Sequence, residues 1–420
     1  MPRRNTATGL GLAAAALAAI ALPRTAGSEG SMTTQDFSLV EQGRYLTTIA
    51  DCASCHTDPS RPLPFAGGRP IETPFGNVLA PNITPDRETG IGGWTDAAFD
   101  AALRRGRDDK GHLLYPAMPF AYYTKMSKQE VLAIRAYLNT LAPVRHKVVA
   151  NQLPFPFDIR TGMRVWDALY FQEGELRPDP SRPADWNRGA YLVEGPGHCG
   201  ACHTPKTMLG GDKSDEKLEG YAVQGWFAPD ITGNKPHGLG SWSKEDIVAY
   251  LKTGHNRFDA ATGPMAEEIS ISSSKMSEAD LEAIATYLKD QRDHAEAAQS
   301  SAPGKSAMAA GGAIYKDLCS ACHKADGTGV PYLMPSLAAS PAVASSDPTT
   351  ILRVLLRGAQ SVATASEPTG PTMPAFGWQL SDAQIAAVAT YIRNSWGHAA
   401  PAVTAGMVRR SRRDLAGRSD

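Results

Sequence analysis

Cys52-Ala53-Ser54-Cys55-His56 places two thiols and an imidazole on one short stretch of chain. The same pattern returns as Cys199-Gly200-Ala201-Cys202-His203 and as Cys319-Ser320-Ala321-Cys322-His323. Cys-x-x-Cys-His is the attachment pattern of c-type haem. Two thiols add to the haem vinyl groups as thioethers, and the adjacent histidine reaches the iron as its proximal ligand. The spacing matters because one short segment must present all three groups to one side of one macrocycle. The chain has 6 cysteines, and all of them belong to these motifs. Paired cysteines also serve structural zinc, which takes four ligands from two such pairs or from a pair and distant histidines. They serve redox dithiols too, where nothing requires a histidine after the second cysteine. Three copies that consume every cysteine fit neither use. The expectation is three covalent haem c groups, attached through Cys52, Cys55, Cys199, Cys202, Cys319 and Cys322, with His56, His203 and His323 on the irons.

The N-terminus fits haem attachment outside the cytoplasm. Arg3 and Arg4 form a positive start, Leu10 to Leu22 is apolar, and the small residues Ala21, Ala26 and Gly27 follow. This reads as a secretory signal over residues 1–26, although Ala19-Ile20-Ala21 also fits the small-x-small cleavage rule. No later apolar stretch is long enough to cross a bilayer. A formal net charge of −1 over 420 residues carries no nucleic-acid signature. Charge is uneven only at the end, where Arg409, Arg410, Arg412, Arg413 and Arg418 cluster.

Aligning the three motifs exposes an internal repeat. Gly43-Arg44-Tyr45, Gly189-Ala190-Tyr191 and Gly312-Ala313-Ile314-Tyr315 precede them. Pro81-Asn82-Ile83-Thr84 and Pro229-Asp230-Ile231-Thr232 follow the first two, then Trp94 and Trp242, each ahead of an acidic, helix-like segment. Each repeat closes on an amphipathic helix. Ser127 with Glu130, Ser277 with Asp280 and Ser381 with Gln384 mark the N-termini. Apolar faces follow at Val131, Ile134 and Leu138, at Leu281, Ile284 and Leu288, and at Ile385, Val388 and Ile392. Tyr137, Tyr287 and Tyr391 fall at equivalent places. The repeat predicts an all-α chain with haem domains at 36–145, 184–292 and 309–398. An aromatic and proline-rich connector at 146–183 reads as packed between the first two domains, or as a contact surface for a partner or membrane. Residues 293–308 read as a flexible linker, and 399–420 as a basic tail, either disordered or a weak, salt-sensitive binder of anionic lipid.

Each repeat also reaches a methionine. Met118 and Met265 lie 62 residues after their motif histidines, and Met373 lies 50 after its own. The prolines beside Met118 and Met373, and the common register, make these three the expected sixth ligands. A thioether is soft and favours ferrous iron, so His/Met ligation raises the reduction potential. It also closes the iron to substrates, which argues against a haem peroxidase. Met126, Met276, Met208 and Met334 are alternatives nearby, as are His112 and His255. Arg104, Arg105 and Arg357 are placed either to meet haem propionates or to line a solvated helix face.

A helix before the haem motif and an apolar helix at the domain end resemble class I cytochrome c, where the two helices cross near a glycine and aromatic residues. Closer still are Tyr115-Pro116-Ala117-Met118-Pro119, Asn187 to Val193, Gly197 to Pro205 and Thr262 to Glu267. These resemble the tri-haem cytochrome c subunit of membrane-bound alcohol, gluconate and sorbitol dehydrogenases, over nearly all of the mature chain. The resemblance implies an electron-transfer subunit with no activity of its own. It implies a catalytic partner of the flavin (FAD) or quinoprotein (PQQ) type, delivery to ubiquinone, and peripheral association with the periplasmic face of the inner membrane. The competing expectation is a free-standing carrier to a terminal oxidase.

Overall fold

The computed structural model describes residues 37–235, 237–292 and 302–418, so the expected signal at 1–26 lies outside the described residues. The first segment runs through helices α1 (Phe37–Ile49) and α2 (Cys52–His56), strands β1 (Pro70–Thr73) and β2 (Gly76–Leu79), then α3 (Asp96–Arg105), α4 (Phe120–Tyr123) and α5 (Lys128–Leu138). Helix α6 (Met163–Tyr170) lies in the connector. The second segment holds α7 (Ala184–Glu194), α8 (Gly200–His203), β3 (Tyr221–Val223), β4 (Trp226–Ala228), α9 (Lys244–Thr253), α10 (Gly263–Ile271) and α11 (Glu278–Lys289). The third holds α12 (Lys305–Leu318), α13 (Ser320–His323), α14 (Pro341–Ala344), α15 (Thr349–Arg357), β5 (Ala359–Gln360), β6 (Thr372–Met373), α16 (Asp382–Ile392) and α17 (Ala405–Ala416). The fold is mostly helical; its strands form short antiparallel hairpins.

Glycine decides how the paired helices meet. A β-carbon on Gly43 would lie 1.8 Å from the Ala133 carbonyl oxygen, one on Gly189 2.0 Å from that of Ala283, and one on Gly311 2.2 Å from that of Ala387. No side chain fits at those distances, so α1 crosses α5, α7 crosses α11 and α12 crosses α16 with backbones almost touching. Tyr137, Tyr287 and Tyr391 stand beside these crossings. In the third segment the crossing falls on Gly311, not on Gly312 of the aligned string. Gly312 faces the Tyr391 ring instead, at 3.1 Å from its would-be β-carbon. The closing helices start where their caps lie. Ser127 and Glu130 form a reciprocal capping box on α5, and Ser381 and Gln384 do so on α16.

The connector packs on one side and is bare on the other. Trp166 and Phe171 meet Phe120 edge-on at 5.8 and 5.3 Å, and Phe157 meets Phe75 at 4.9 Å. Phe155, Val165 and Leu169 stay exposed. In the stretch expected as a linker, residues 293–301 lie outside the described residues, and helix α12 begins at Lys305.

The tail is an ordered helix, which departs from the disordered one of its two expected states. Residues 405–416 form a helix whose N-cap is Thr404. Val403, Val408 and Leu415 are buried in the third core with Leu352, Leu355 and Val388. Arg412 bonds the Asp382 carboxylate at 2.7 Å and the carbonyls of Gly377 and Leu380 at 2.6 and 2.7 Å. The apolar residues that would have entered a lipid surface are spent on the protein's own core, and two of the five arginines, Arg412 and Arg418, hold backbone carbonyls.

Candidate haem sites

Each motif histidine sits on a one-turn helix with its ring locked from behind. His56 Nδ1 lies 2.7 Å from the Pro81 carbonyl oxygen, His203 Nδ1 2.7 Å from that of Pro229, and His323 Nδ1 3.0 Å from that of Pro335. A carbonyl can only accept, so Nδ1 carries the proton and donates it. In the neutral ring Nε2 then keeps its lone pair, the state needed for a metal ligand, and the second bond fixes the ring plane. Burial pushes all three imidazoles below their usual pKa, against the smaller opposing pull of the proline carbonyls. Neutral imidazoles are the result.

The carbonyls are aimed by their own sequence. After Pro81, the Asn82 side chain accepts from the Thr84 amide at 2.9 Å; after Pro229, Asp230 accepts from the Thr232 amide at 2.6 Å. These are Asx-type turns, and they hold the preceding peptide in place. Cys52, Cys55, Cys199 and Cys202 are partly buried, Cys319 is buried and Cys322 is exposed. Burial pushes Cys52 up to about 12, Cys55 to about 11, Cys199 to about 12 and Cys319 to about 11. Two thiols followed directly by an imidazole that keeps its Nε2 lone pair are a donor set that fits covalent haem c.

The methionines divide. Met118 packs on the hydrophobic cluster that Cys52 also touches, and Met373 packs on the cluster that contains Cys319. Met265 does not share a cluster with Cys199. It borders Ala261, Ile269 and Val362, and Tyr250 touches both that cluster and the one with Cys199. The loop before Met265 needs its glycine: Gly263 has φ +58, and a β-carbon there would lie 2.4 Å from the Trp226 ring.

Other candidates are engaged elsewhere. Met126 and Met276 are core residues, and Met208 is 96 % exposed. His112 is paired with Asp108 on the surface. His255 is buried, and its Nε2 lies 2.8 Å from the Ser361 hydroxyl. Arg104 and Arg105 pair with Asp100, and Arg357 holds the carbonyls of Leu415 and Arg418.

A model of the cytochrome c family matches residues 187–292 and 308–396. The gluconate 2-dehydrogenase cytochrome c subunit of Pantoea cypripedii is 37 % identical over 90 % of this chain and 90 % of its own length. The chain belongs to the family of cytochrome c subunits of dehydrogenases. The fructose dehydrogenase cytochrome subunit of Gluconobacter japonicus is 36 % identical over 89 % of this chain and 82 % of its own. The cytochrome c subunit of alcohol dehydrogenase (quinone) from Gluconobacter oxydans (strain 621H) is 36 % identical over 87 % of this chain and 80 % of its own. Covalent haem c is the cofactor of this family.

For these cytochrome sites, sequence reading missed the residues behind the histidines. Pro81 and Pro229 were visible as a repeated Pro-x-Ile-Thr string, 25 and 26 residues after their histidines. Nothing in the string announced that its carbonyl receives the imidazole proton. Pro335 lies only 12 residues after His323 and outside any such string. Among the described residues no helix is long and apolar enough to cross a membrane.

Proposed function

We propose that this chain is an exported electron-transfer subunit. It carries three covalent haem c groups in three tandem class I cytochrome c domains. The single observation behind this reading is the repeated imidazole lock. All three Cys-x-x-Cys-His helices put an Nδ1-protonated histidine against a proline carbonyl, with His56 and His323 buried and His203 partly buried. One such lock would be a local hydrogen bond; three, each next to its own cysteine pair, match a relay of three alike centres. Bound haem supplies reversible one-electron chemistry between ferric and ferrous iron.

The chain's own residues hold, orient and tune. Cys52 with Cys55, Cys199 with Cys202, and Cys319 with Cys322 fix each macrocycle. His56, His203 and His323 supply the proximal nitrogen. Met118, Met265 and Met373 supply the thioether that raises the potential. For Met265 the support is its spacing of 62 residues from the motif histidine, equal to that of Met118. A haem held by such a histidine and methionine pair would offer no open position to a substrate, so the chain would act with a catalytic partner.

That partner is a dehydrogenase subunit, as the names of the relatives favour, and our reading assigns it to the flavin or quinoprotein type. The electrons pass on to ubiquinone at the periplasmic face of the inner membrane, with peripheral attachment. The test is reduction by a partner. The purified complex, given the substrate of its dehydrogenase subunit, should reduce all three haems, and a ubiquinone analogue should reoxidise them. Haems that stay ferric in the intact complex while the dehydrogenase turns over with an artificial acceptor would contradict the proposal.

A further inference from the structure

The first two haem-attachment helices are each tied to the methionine-bearing stretch of the other segment. In the first segment Arg69 donates from Nη1 to the Ser54 carbonyl at 2.5 Å. Ser54 lies between Cys52 and Cys55, so this carbonyl belongs to the haem-attachment turn itself. The same guanidinium grips Glu267 with both prongs, Nη2 to Oε2 at 2.8 Å. Glu267 belongs to the second segment and lies two residues after Met265 on α10. Helices α2 and α10 are in direct contact.

The second segment answers in kind. Lys206 donates to the Gly200 carbonyl at 2.7 Å. Gly200 lies between Cys199 and Cys202. Lys206 also pairs with Asp212 at 2.7 Å. Asp212 accepts from the Tyr122 hydroxyl. Tyr122 belongs to the first segment and lies four residues after Met118 on α4. The fit is close: a β-carbon on Gly200 would lie 2.7 Å from that hydroxyl oxygen. Burial, with Asp212 adding to it, pushes the Tyr122 hydroxyl well above its usual pKa, so it stays a donor.

In both ties the cation is the sheltered member, while Glu267 and Asp212 are 34 % and 40 % exposed. The Arg69 side chain is 23 % exposed and that of Lys206 11 %. A sheltered, two-pronged Arg–carboxylate pair is stronger and more directional than a surface ion pair. Arginine is the residue that can hold a carboxylate and a third acceptor with one planar group.

We infer that Arg69 and Lys206 are positioning residues for electron transfer, each fixing one haem-attachment helix against the methionine stretch of the neighbouring haem. The first two haems then work as one rigidly spaced pair. Electron transfer falls steeply with separation, so small slippage between the segments is costly. The inference rests on Met118 and Met265 being axial ligands, as proposed above.

The test uses the full chain with its haems attached. Met265→Ala identifies the second haem as the component that loses potential and binds carbon monoxide. Arg69→Gln lies in the first segment, yet it should lower the potential of that same second haem. It should also raise its carbon monoxide reactivity by about threefold or more. Glu267→Gln should do the same, and the double variant should be no worse than either single. Arg69→Lys, which keeps the charge and loses the fork, should fall in between. Lys206→Met should act in the same way on the first haem, identified by Met118→Ala.

An Arg69→Gln protein whose second haem is unchanged, or in which only the first haem responds, overturns the inference. Additive effects of Arg69→Gln and Glu267→Gln overturn it too. If Arg69→Gln does not mature, Glu267→Gln and Arg69→Lys carry the same comparison. If Met265→Ala leaves every haem unchanged, the ligand assignment itself falls and the inference with it. If Met265→Ala opens a haem that Arg69→Gln leaves closed, only the inference falls.

Discussion

Tyr45 and Tyr191 exchange equivalent hydrogen bonds across the junction of the first two segments. Each stands two residues after a crossing glycine. Tyr45 donates to the Asp280 carboxylate at 2.8 Å, and Tyr191 donates to the Glu130 carboxylate at 2.7 Å. Asp280 and Glu130 are both the third residue of a closing helix, α11 and α5. Burial pushes both phenol groups above their usual pKa, so they remain donors at any physiological pH. The helix pair of one segment is thus read by the tyrosine of the other.

Tyr45→Phe and Tyr191→Phe should each cost about 1 kcal/mol of stability, with haem content unchanged. The double variant should cost about the sum, because the bonds share no partner. Denaturant unfolding of the haem-loaded protein measures this. Variants as stable as the parent would mean that the two bonds contribute nothing at the junction.

The crossing glycines should tolerate no substitution. Gly189→Ala puts a methyl group 2.0 Å from the Ala283 carbonyl oxygen, so α7 and α11 must separate. The expected cost is about 3 kcal/mol or more. It should appear as a lower melting temperature and less haem-loaded protein. Gly312→Ala, one residue past the third crossing, should cost clearly less than Gly311→Ala.

Much of this arrangement was legible in the sequence because it rests on local rules. A serine three residues ahead of Glu130 or Gln384 marks a helix start by chemistry within four residues, and α5 and α16 begin there. The glycine and tyrosine pairing was legible as a repeat, but the register failed at Gly311 because neither of the two adjacent glycines has a tyrosine two residues on, and Gly312 is the nearer to Tyr315. What stayed hidden depends on contacts between distant residues. The Pro335 carbonyl, Arg69 on Glu267, and the burial of Val408 and Leu415 join elements far apart in sequence. A basic, weakly apolar segment reads as a solvated tail until the core that covers its apolar side is seen.

Helix α17 should therefore matter for folding rather than for lipid. Val408→Asp places a charge among Leu352, Leu355 and Val388. It should destabilise the third segment by several kcal/mol, about 3 or more. Flotation of the folded parent with anionic liposomes should not depend on Arg409, Arg410 and Arg413. Loss of flotation on replacing these three with glutamine, at unchanged melting temperature, would restore the tail as a membrane contact.

Asp259 gives a pH dependence of defined sign. It is partly buried at the junction with the third segment, and its carboxylate accepts from the Ser340 hydroxyl at 3.3 Å. Burial raises its pKa from the usual 3.8 to about 6. The folded chain then holds a proton that the unfolded chain releases earlier, so stability falls as pH rises from about 4 to about 6. Above that range the full cost remains, on the order of 2–3 kcal/mol. Asp259→Asn should gain stability over the parent at pH 8 and lose that advantage below pH 4.5. Melting curves of both proteins at the two pH values decide it, and an advantage independent of pH would exclude a buried carboxylate as its cause.

The claim on which the rest depends is that each of the three Cys-x-x-Cys-His turns holds a haem by covalent bonds. Intact-mass measurement of the mature protein after acid–acetone extraction tests it most directly. Three haem increments on one polypeptide are the predicted result, each lost when the corresponding cysteine pair is replaced by serine. A protein carrying one or two haems, or haem that leaves with the acetone, would contradict it.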